Sequence, residues 1–356
     1  MSLTNRLTLS VVLFSMSLTG CQQLSSMSSR ERSRLSQERD ESGTVRLVGI
    51  GPIRGFAKDR DHTLMHCLEL VLEAMGREIG YDELMGMSGM AFRLQFRVDR
   101  WGVGNPDPLV GENCVDVLMS AIGLKHEVLI VERNELAEAA ALRRRIKESI
   151  DLEIPVLAAN IIEPEDWGII TGYRPDFKWL CRSYNGGALE SDRMASGWPT
   201  AVILFEKQSR PPANQAYLAS VRRAVDLFEK RRSGSYALGE KAFDYWCQSL
   251  QTVQTRQYIH PNVWTYIALM DARASAARYF RRISLEFGAN EHYALQAADY
   301  YDQEVRLLRD GYQYVPSEKD YPGTLPPPHF RQRQIEVLRK AKELEKNAID
   351  ALRKLL

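Results

Sequence analysis

Cys67 is the residue of this sequence whose type and position best suit nucleophilic chemistry. It follows the polar segment 59–63 and falls near the start of residues 63–75, where apolar side chains recur at helical spacing. A thiol near a helix N-terminus has a lowered pKa, because the positive end of the helix dipole favours the thiolate. We therefore predict that Cys67 is a candidate nucleophile. It also belongs to the apolar stripe of its helix, so an inert core cysteine is the alternative.

Cys21 has a different chemistry, which the segment before it indicates. Residues 1–6 carry one positive charge, residues 7–18 are apolar apart from hydroxyl side chains, and Leu-Thr-Gly-Cys ending at Cys21 forms a lipobox. The apolar run is too short to cross a bilayer, so it predicts a bacterial lipoprotein signal peptide at 1–20. Acyl chains on Cys21 would hold the mature protein to membrane lipid. Gln22 resembles the residue found there in outer-membrane lipoproteins, which predicts an envelope location facing the periplasm.

The composition is that of an ordinary globular protein with nearly balanced charge. The 356 residues include 47 Lys and Arg and 46 Asp and Glu, a formal net charge of +1 at pH 7. This balance gives no electrostatic reason to expect a nucleic-acid partner. Four cysteines besides Cys21 show neither CxxC nor Cys/His ligand spacing, so we predict no metal and no cofactor. Their disulfide state stays open: Cys67, Cys114, Cys181 and Cys247.

The chain up to residue 208 mixes strand and helix patterns. Residues 21–44 are rich in Ser and mixed charge, which predicts a flexible tether. Helices first and closely spaced strands afterwards favour an α+β domain over 45–208, with a largely antiparallel sheet. Strands are expected at 45–53, 92–98, 127–131, 154–159, 167–173, 179–184 and 200–205, and helices at 63–75, 114–122 and 134–150.

Residues 209–356 have helical periodicity almost throughout. This pattern predicts an all-α bundle, which could also offer a surface to a protein partner. Helices are expected at 221–228, 238–250, 263–280, 293–308 and 332–356. The last helix either packs on its own bundle or forms a coiled coil. We favour packing, because its apolar stripe is diluted by Ala and spans only about three heptads.

Several blocks of the sequence resemble a known group of proteins. They are His66-Cys67 with residues 81–92, residues 155–157, and the segment 166–173, which ends in Gly-Tyr. On these blocks, residues 60–205 resemble the N-terminal domain of butirosin biosynthesis protein H and the wider C39-like, papain-like cysteine peptidases. The Gly-x-x-Ala-x-x-x-Trp pattern at 239–246 and Asp-Ala-Arg at 271–273 resemble the helical half of the same proteins. The resemblance implies a papain-like fold, with acyl transfer from the first relation and peptide cleavage from the second.

The resemblance also implies where the partners of Cys67 lie. In C39-like domains the base histidine begins the strand at 166–173, but this chain has Asp166 and Trp167 there. Neither side chain accepts a thiol proton at neutral pH as imidazole does. The orienting residue falls in the block 180–186, which makes Asn185 the candidate. The catalytic set is then Cys67 and Asn185, with Asp166 as one candidate base.

Further candidates surround this set. The glutamine that usually donates to the oxyanion is replaced by Asp61, whose carboxylate would repel an oxyanion. His62, beside it, is a candidate donor or base. Trp167 and Tyr173 are expected to line the cleft and contact the ligand.

Three functions compete on these observations. The first is a degenerate cysteine hydrolase whose cleft binds a peptide or acyl ligand at the cell envelope, and the missing base histidine favours it. The second is an active cysteine-dependent acyltransferase or amide hydrolase that uses Cys67. The third is an interaction module, in which the helical part docks a protein partner and the papain-like domain is a scaffold.

Overall fold

The computed structural model describes residues 34–54, 59–131, 136–162, 166–176, 178–184, 193–195, 198–209 and 216–356. Its strands are β1 (Ser36–Arg39), β2 (Val45–Val48), β3 (Gln95–Arg97), β4 (Leu124–Ile130), β5 (Val156–Ala159), β6 (Trp167–Tyr173), β7 (Trp179–Ser183), β8 (Arg193–Met194), β9 (Ala201–Ser209), β10 (Arg232–Ser233) and β11 (Tyr236–Leu238). Its α-helices are α1 (Thr63–Ala74), α2 (Tyr81–Ser88), α3 (Val115–Ala121), α4 (Leu136–Asp151), α5 (Ala216–Glu229), α6 (Gly239–Gln251), α7 (Ile259–Ile283), α8 (Glu291–Gly311) and α9 (Pro328–Arg353).

Within the described residues, an antiparallel sheet of eight strands runs in the order β1-β2-β6-β5-β9-β4, with β7 paired to β6 and β8 to β7. Strand β5 lies between β6 and β9, so that Leu157 pairs with Ile169 on one side and with Ile203 on the other. All of β5 and β6 is buried, which explains their nearly continuous apolar sequences. The predicted α+β class with an antiparallel sheet is therefore confirmed.

The segment predicted as a strand at 92–98 behaves differently. Only Gln95–Arg97 forms a strand, and it pairs with β11 in a separate three-stranded sheet. Phe92 instead stacks on Phe280 of α7, with ring centroids 5.1 Å apart, and Phe96 stacks on Trp246 of α6 at 6.0 Å. The apolar residues of this segment alternate because they pack on different helices, Phe92 on α7 and Phe96 on α6. The prediction that the whole segment is a strand was wrong.

The prediction of a flexible tether over 21–44 is wrong for its last part. Ser36–Arg39 forms the edge strand β1, and its register with β2 runs from Ser36 opposite Val48 to Arg39 opposite Val45. All four side chains of β1 are exposed. Backbone hydrogen bonds to β2 hold this strand without apolar burial, so composition gave no sign of it. Residues 21–33, the signal segment 1–20 and Cys21 lie outside the described residues.

Ser33–Leu356 forms one compact unit, so the predicted domain boundary at 208–209 falls inside it. Helices α7 and α8 share a core with α1 and the large sheet, through residues such as Phe280 and Tyr301. Helix α9 packs on α6 and α8, and its buried stripe includes Leu338, Ile349 and Leu352, as expected for packing within its own chain. In the described part of the chain, no helix has the length and apolarity needed to cross a membrane.

Candidate functional site

A cleft of about 350 Å³ lies at the start of α1. The antiparallel register brings three strand ends together at one wall, because Ala159 at the end of β5 pairs with Trp167 of β6 and with Ala201 of β9. The loop 103–110 and Trp264 of α7 contribute other walls. The cleft therefore joins the first turn of α1 to one edge of the sheet.

Thr63 and Asp166 meet in this cleft. Thr63 is the first residue of α1, and its Oγ1 donates a short hydrogen bond to Oδ1 of Asp166, which directly precedes β6. The backbone N–H of Trp167 donates to the same oxygen at 2.8 Å. Burial raises the pKa of Asp166 to about 7, the nearby charge of Asp107 adds to the rise, and the two hydrogen bonds oppose it. This carboxyl therefore changes its charge near neutral pH.

Asp107 is a second carboxyl in the cleft. Its Oδ1 accepts from the backbone N–H of Leu109 at 2.8 Å, and its Oδ2 accepts from Nε1 of Trp167 at 3.3 Å. Burial raises the pKa of Asp107 above its usual value, although these hydrogen bonds and the charge of Arg93 lower it. Trp167 thus links the two carboxyl groups, because its backbone N–H donates to Asp166 and its indole N–H donates to Asp107.

Cys67 lies one helical turn beyond Thr63 and is not among the residues that line the cleft. Its side chain is fully buried, and its Sγ faces the backbone oxygen of Trp167 at 3.8 Å. Burial raises the pKa of the Cys67 thiol well above its usual value, and the negative charge of Asp166 acts in the same direction. The expected lowering of this pKa was therefore wrong, because desolvation outweighs the helix dipole at the fifth residue of the helix.

His62 lines the cleft but is held as a neutral ring. Its Nε2 lies 3.2 Å from the backbone oxygen of Ala268, a pair that fits an Nε2–H donor. Burial, with the charge of Arg93, lowers the pKa of His62 to about 3. His66 faces away: its Nδ1 lies 2.9 Å from Glu69, and its Nε2 accepts from the backbone N–H of Arg54 at 3.1 Å. Both imidazole rings are therefore hydrogen-bonded to groups other than Cys67 and Thr63.

The remaining predicted residues divide into three cases. Trp167 lines the cleft, as expected for a ligand contact. Tyr173 does not, because it lies at the other end of β6, where its hydroxyl donates to Asp151 at 2.6 Å. Its expected place in the cleft was wrong, since seven-residue β6 separates the two aromatic side chains. Asn185 lies outside the described residues.

A buried network fixes the first turn of α1 against α7. The carboxyl of Asp271 accepts from the backbone N–H of Asp61 at 3.2 Å and, through a short hydrogen bond, from the hydroxyl of Tyr81. The same hydroxyl accepts from the backbone N–H of His62 at 3.1 Å. Burial raises the pKa of Asp271 to about 7, with the hydrogen bonds opposing and the charge of Asp61 adding to the rise. This network determines where Thr63 faces the cleft.

Sequence reasoning missed Thr63 and Asp107. The signal for Thr63 was present, since the polar segment ends there and the apolar stripe begins at Leu64. The first residue of a helix, rather than the fifth, faces what lies beyond its N-terminus. Asp107 lies between two prolines in a loop, and no sequence pattern connects it to β6.

The four cysteines besides Cys21 are free buried thiols. Among the residues with described positions, no group of three His, Cys, Asp or Glu side chains could hold a metal ion. The fold and site define an α+β protein with a carboxyl-lined cleft at a helix N-terminus. No protein-family model matches the chain, and no curated protein matches it either.

Proposed function

We propose that this protein is a lipid-anchored envelope protein whose papain-like domain binds a peptide or acyl ligand without using thiol chemistry. One observation carries the proposal. The hydrogen-bonded pair Thr63 and Asp166 occupies the cleft, while Cys67 is fully buried one turn behind it.

The papain-like arrangement places a nucleophile at a helix N-terminus and a base at the start of a strand in the sheet. The cleft instead presents Thr63, the first residue of α1, and Asp166, which directly precedes β6. A threonine hydroxyl is a far weaker nucleophile than a thiolate, and a carboxylate is a weak base toward it. This pair therefore supplies no thiol chemistry, and it adds polar groups to the lining of the cleft.

The cleft has the properties of a ligand site. Its volume of about 350 Å³ lies within the usual range of roughly 300–1,000 Å³ for small-molecule pockets. Its walls combine apolar side chains, such as Leu64 and Met65, with a few polar groups that include Thr63 and Asn160. Such a pocket buries the body of a ligand and orients it through hydrogen bonds.

Filling the cleft is expected to weaken ligand binding. Gly104 lines it, and a Cβ there would have ordinary contacts, the nearest being the Tyr236 hydroxyl at 3.7 Å. We expect Gly104→Trp to weaken binding about tenfold or more, because the indole would occupy ligand space. The measurement is calorimetric titration of the full chain with three probes: N-acetyl-Phe-Lys-amide, N-acetyl-Phe-norleucine-amide and octanoyl-glycine.

Gly102→Trp is the matched control. It lies two residues away outside the cleft, and its Cβ would meet only Arg97 at 3.9 Å. It should bind like the native protein, as should Cys67→Ser. If none of the three probes binds, or if Gly104→Trp binds as the native chain does, the proposed binding function is wrong.

Membrane attachment is tested separately at Cys21. We expect Cys21→Ser to move the protein from the membrane fraction to the soluble fraction, because serine does not receive the acyl chains that hold a lipoprotein. The measurement is fractionation of cells that express each form, with Cys247→Ser as a control that keeps the lipobox. A Cys21→Ser protein that still sediments with membranes would contradict the lipid anchor.

A further inference from the structure

The lining of the cleft is strongly biased in charge. Of the described residues that form it, Asp61, Asp107 and Asp166 are acidic, and none is Lys or Arg. His62 adds no positive charge near neutral pH, because burial lowers its pKa to about 3. A low-dielectric cleft with charges of one sign attracts a ligand of the opposite sign.

Arg93 is the cation behind this lining, but its guanidinium is already occupied. It donates to the backbone oxygens of Glu112 and Asp107, both at 2.8 Å, and more weakly to those of Val110 and Asn105. Its charge lowers the pKa of Asp107, so it offsets part of one carboxylate. The neighbouring charge that shifts the pKa of Asp166 is the negative one of Asp107.

Asp166 has unused capacity to accept hydrogen bonds. Thr63 and the Trp167 backbone both donate to Oδ1, and within the described part of the chain Oδ2 receives no hydrogen bond. A carboxylate accepts about four hydrogen bonds when ionised. Asp166 lines the cleft, so we take its Oδ2 as the atom that accepts from a donor on a ligand.

The rim of the cleft is apolar. Ile130 is 69 % exposed and Val103 is 41 % exposed, and both line the cleft beside Trp264. Exposed side chains of this size cover the hydrocarbon part of a ligand when it binds. A small inorganic cation is a poorer fit, because the described residues offer no cluster of three metal-binding side chains.

We infer that the ligand of this cleft carries a primary ammonium group on an apolar body, as a lysine-containing peptide does, and that the ammonium binds Asp166 beside Asp107. This inference rests on the proposed binding function and specifies its ligand class. An ammonium has three donors, which can satisfy Oδ2 of Asp166 and reach neighbouring acceptors.

The affinity for such a ligand should depend on pH. Asp166 has a pKa of about 7, so it is partly protonated at neutral pH. The ligand ammonium favours the carboxylate, so affinity rises with pH through that value until the amine itself loses its proton near pH 10.4. Three titratable groups lie around Asp166: Asp107, whose pKa is raised by burial, and Cys67 and Tyr184, which stay neutral because burial raises their pKa values well above the usual ones.

The test compares N-acetyl-Phe-Lys-amide with N-acetyl-Phe-norleucine-amide, which has nearly the same shape but no ammonium. We expect the lysine probe to bind the native full chain about tenfold more tightly at pH 8, since a hydrogen bond to an ionised group is among the stronger ones. Its affinity should fall about fivefold between pH 8 and pH 6, as Asp166 gains a proton and the preference over the norleucine probe shrinks to about twofold. Asp166→Asn keeps an acceptor for Thr63 and should remove both the preference and the pH dependence.

The outcomes separate the inference from the function on which it rests. If both peptides bind equally in the native chain, or if only octanoyl-glycine binds, the ammonium inference is wrong and the binding cleft stands. If no probe binds, the proposed function fails and the inference fails with it. The comparison of the two peptides needs no variant, so it holds even if Asp166→Asn fails to fold.

Discussion

Cys67 is expected to resist alkylation in the native protein. Its sulfur is fully buried, and burial raises the pKa of the thiol, so the reactive thiolate is both inaccessible and disfavoured. Reaction then requires local or global opening of the fold. We expect iodoacetamide to modify Cys67 about a thousandfold more slowly in the native state than in urea, measured by mass spectrometry of the Cys67 peptide. The native rate should stay low from about pH 6 to pH 9.

Thr63→Cys is the informative companion variant. It places a thiol at the first residue of α1, beside Asp166 and on the cleft wall, in the position where Cys67 was predicted to act. This thiol should react at least about tenfold faster than Cys67 in the same sample. If instead Cys67 reacts at the rate of a free thiol, or reacts fast well below pH 8.5, it is an activated nucleophile. A cysteine-dependent enzyme would then replace the binding protein that we propose.

The two interpretations of Cys67 depended on one sequence pattern. The apolar stripe of α1 contains Leu64, Leu68 and Val71, all buried, and Cys67 falls on that stripe. Periodicity therefore favoured a core residue, whereas the argument for a thiolate used only distance from the predicted helix start. Cys67 lies one turn beyond the helix start, and this distance decides between a thiolate and a core cysteine. The helix dipole acts within the first turn, whereas desolvation acts on every buried thiol.

Local pattern determined most helices and the strands of the sheet, because burial of one face sets their periodicity. It could not determine which loop reaches the cleft. Asp107 is brought to Trp167 by the fold of 103–110, where Arg93 binds four backbone oxygens. The raised pKa of Asp166 likewise depends on burial by segments distant in sequence. The acidic character of the cleft was therefore invisible before its walls were assembled.

Arg273 is expected to be essential for stability. It is fully buried on α7, and its guanidinium donates to Glu345 of α9 at 2.7 and 3.1 Å and to the backbone oxygen of Ala91 at 3.0 Å. Glu304 of α8 lies 3.6 Å from its Nε. The residue thus joins α7 and α9 to the turn after α2. Arg273→Ala should lower the free energy of unfolding by about 3–5 kcal/mol in urea titrations, because it leaves a buried carboxylate without its cation.

Two variants distinguish this buried charge from a general effect of mutation. Burial and the charge of Glu345 raise the pKa of Glu304 well above its usual value, which favours a neutral Glu304 carboxyl. Burial also raises the pKa of Glu345, but the charge and hydrogen bonds of Arg273 oppose that rise and favour the Glu345 carboxylate. Glu304→Gln should therefore change stability by only about 1 kcal/mol. Arg278→Ala, on the same helix, removes an ion pair with Asp82 from a side chain that is 40 % exposed, and should also cost about 1 kcal/mol or less. Equal losses of unfolding free energy in all three variants would mean that Arg273 acts through packing alone. Its charge would then not be what joins α7 and α9 to the turn after α2.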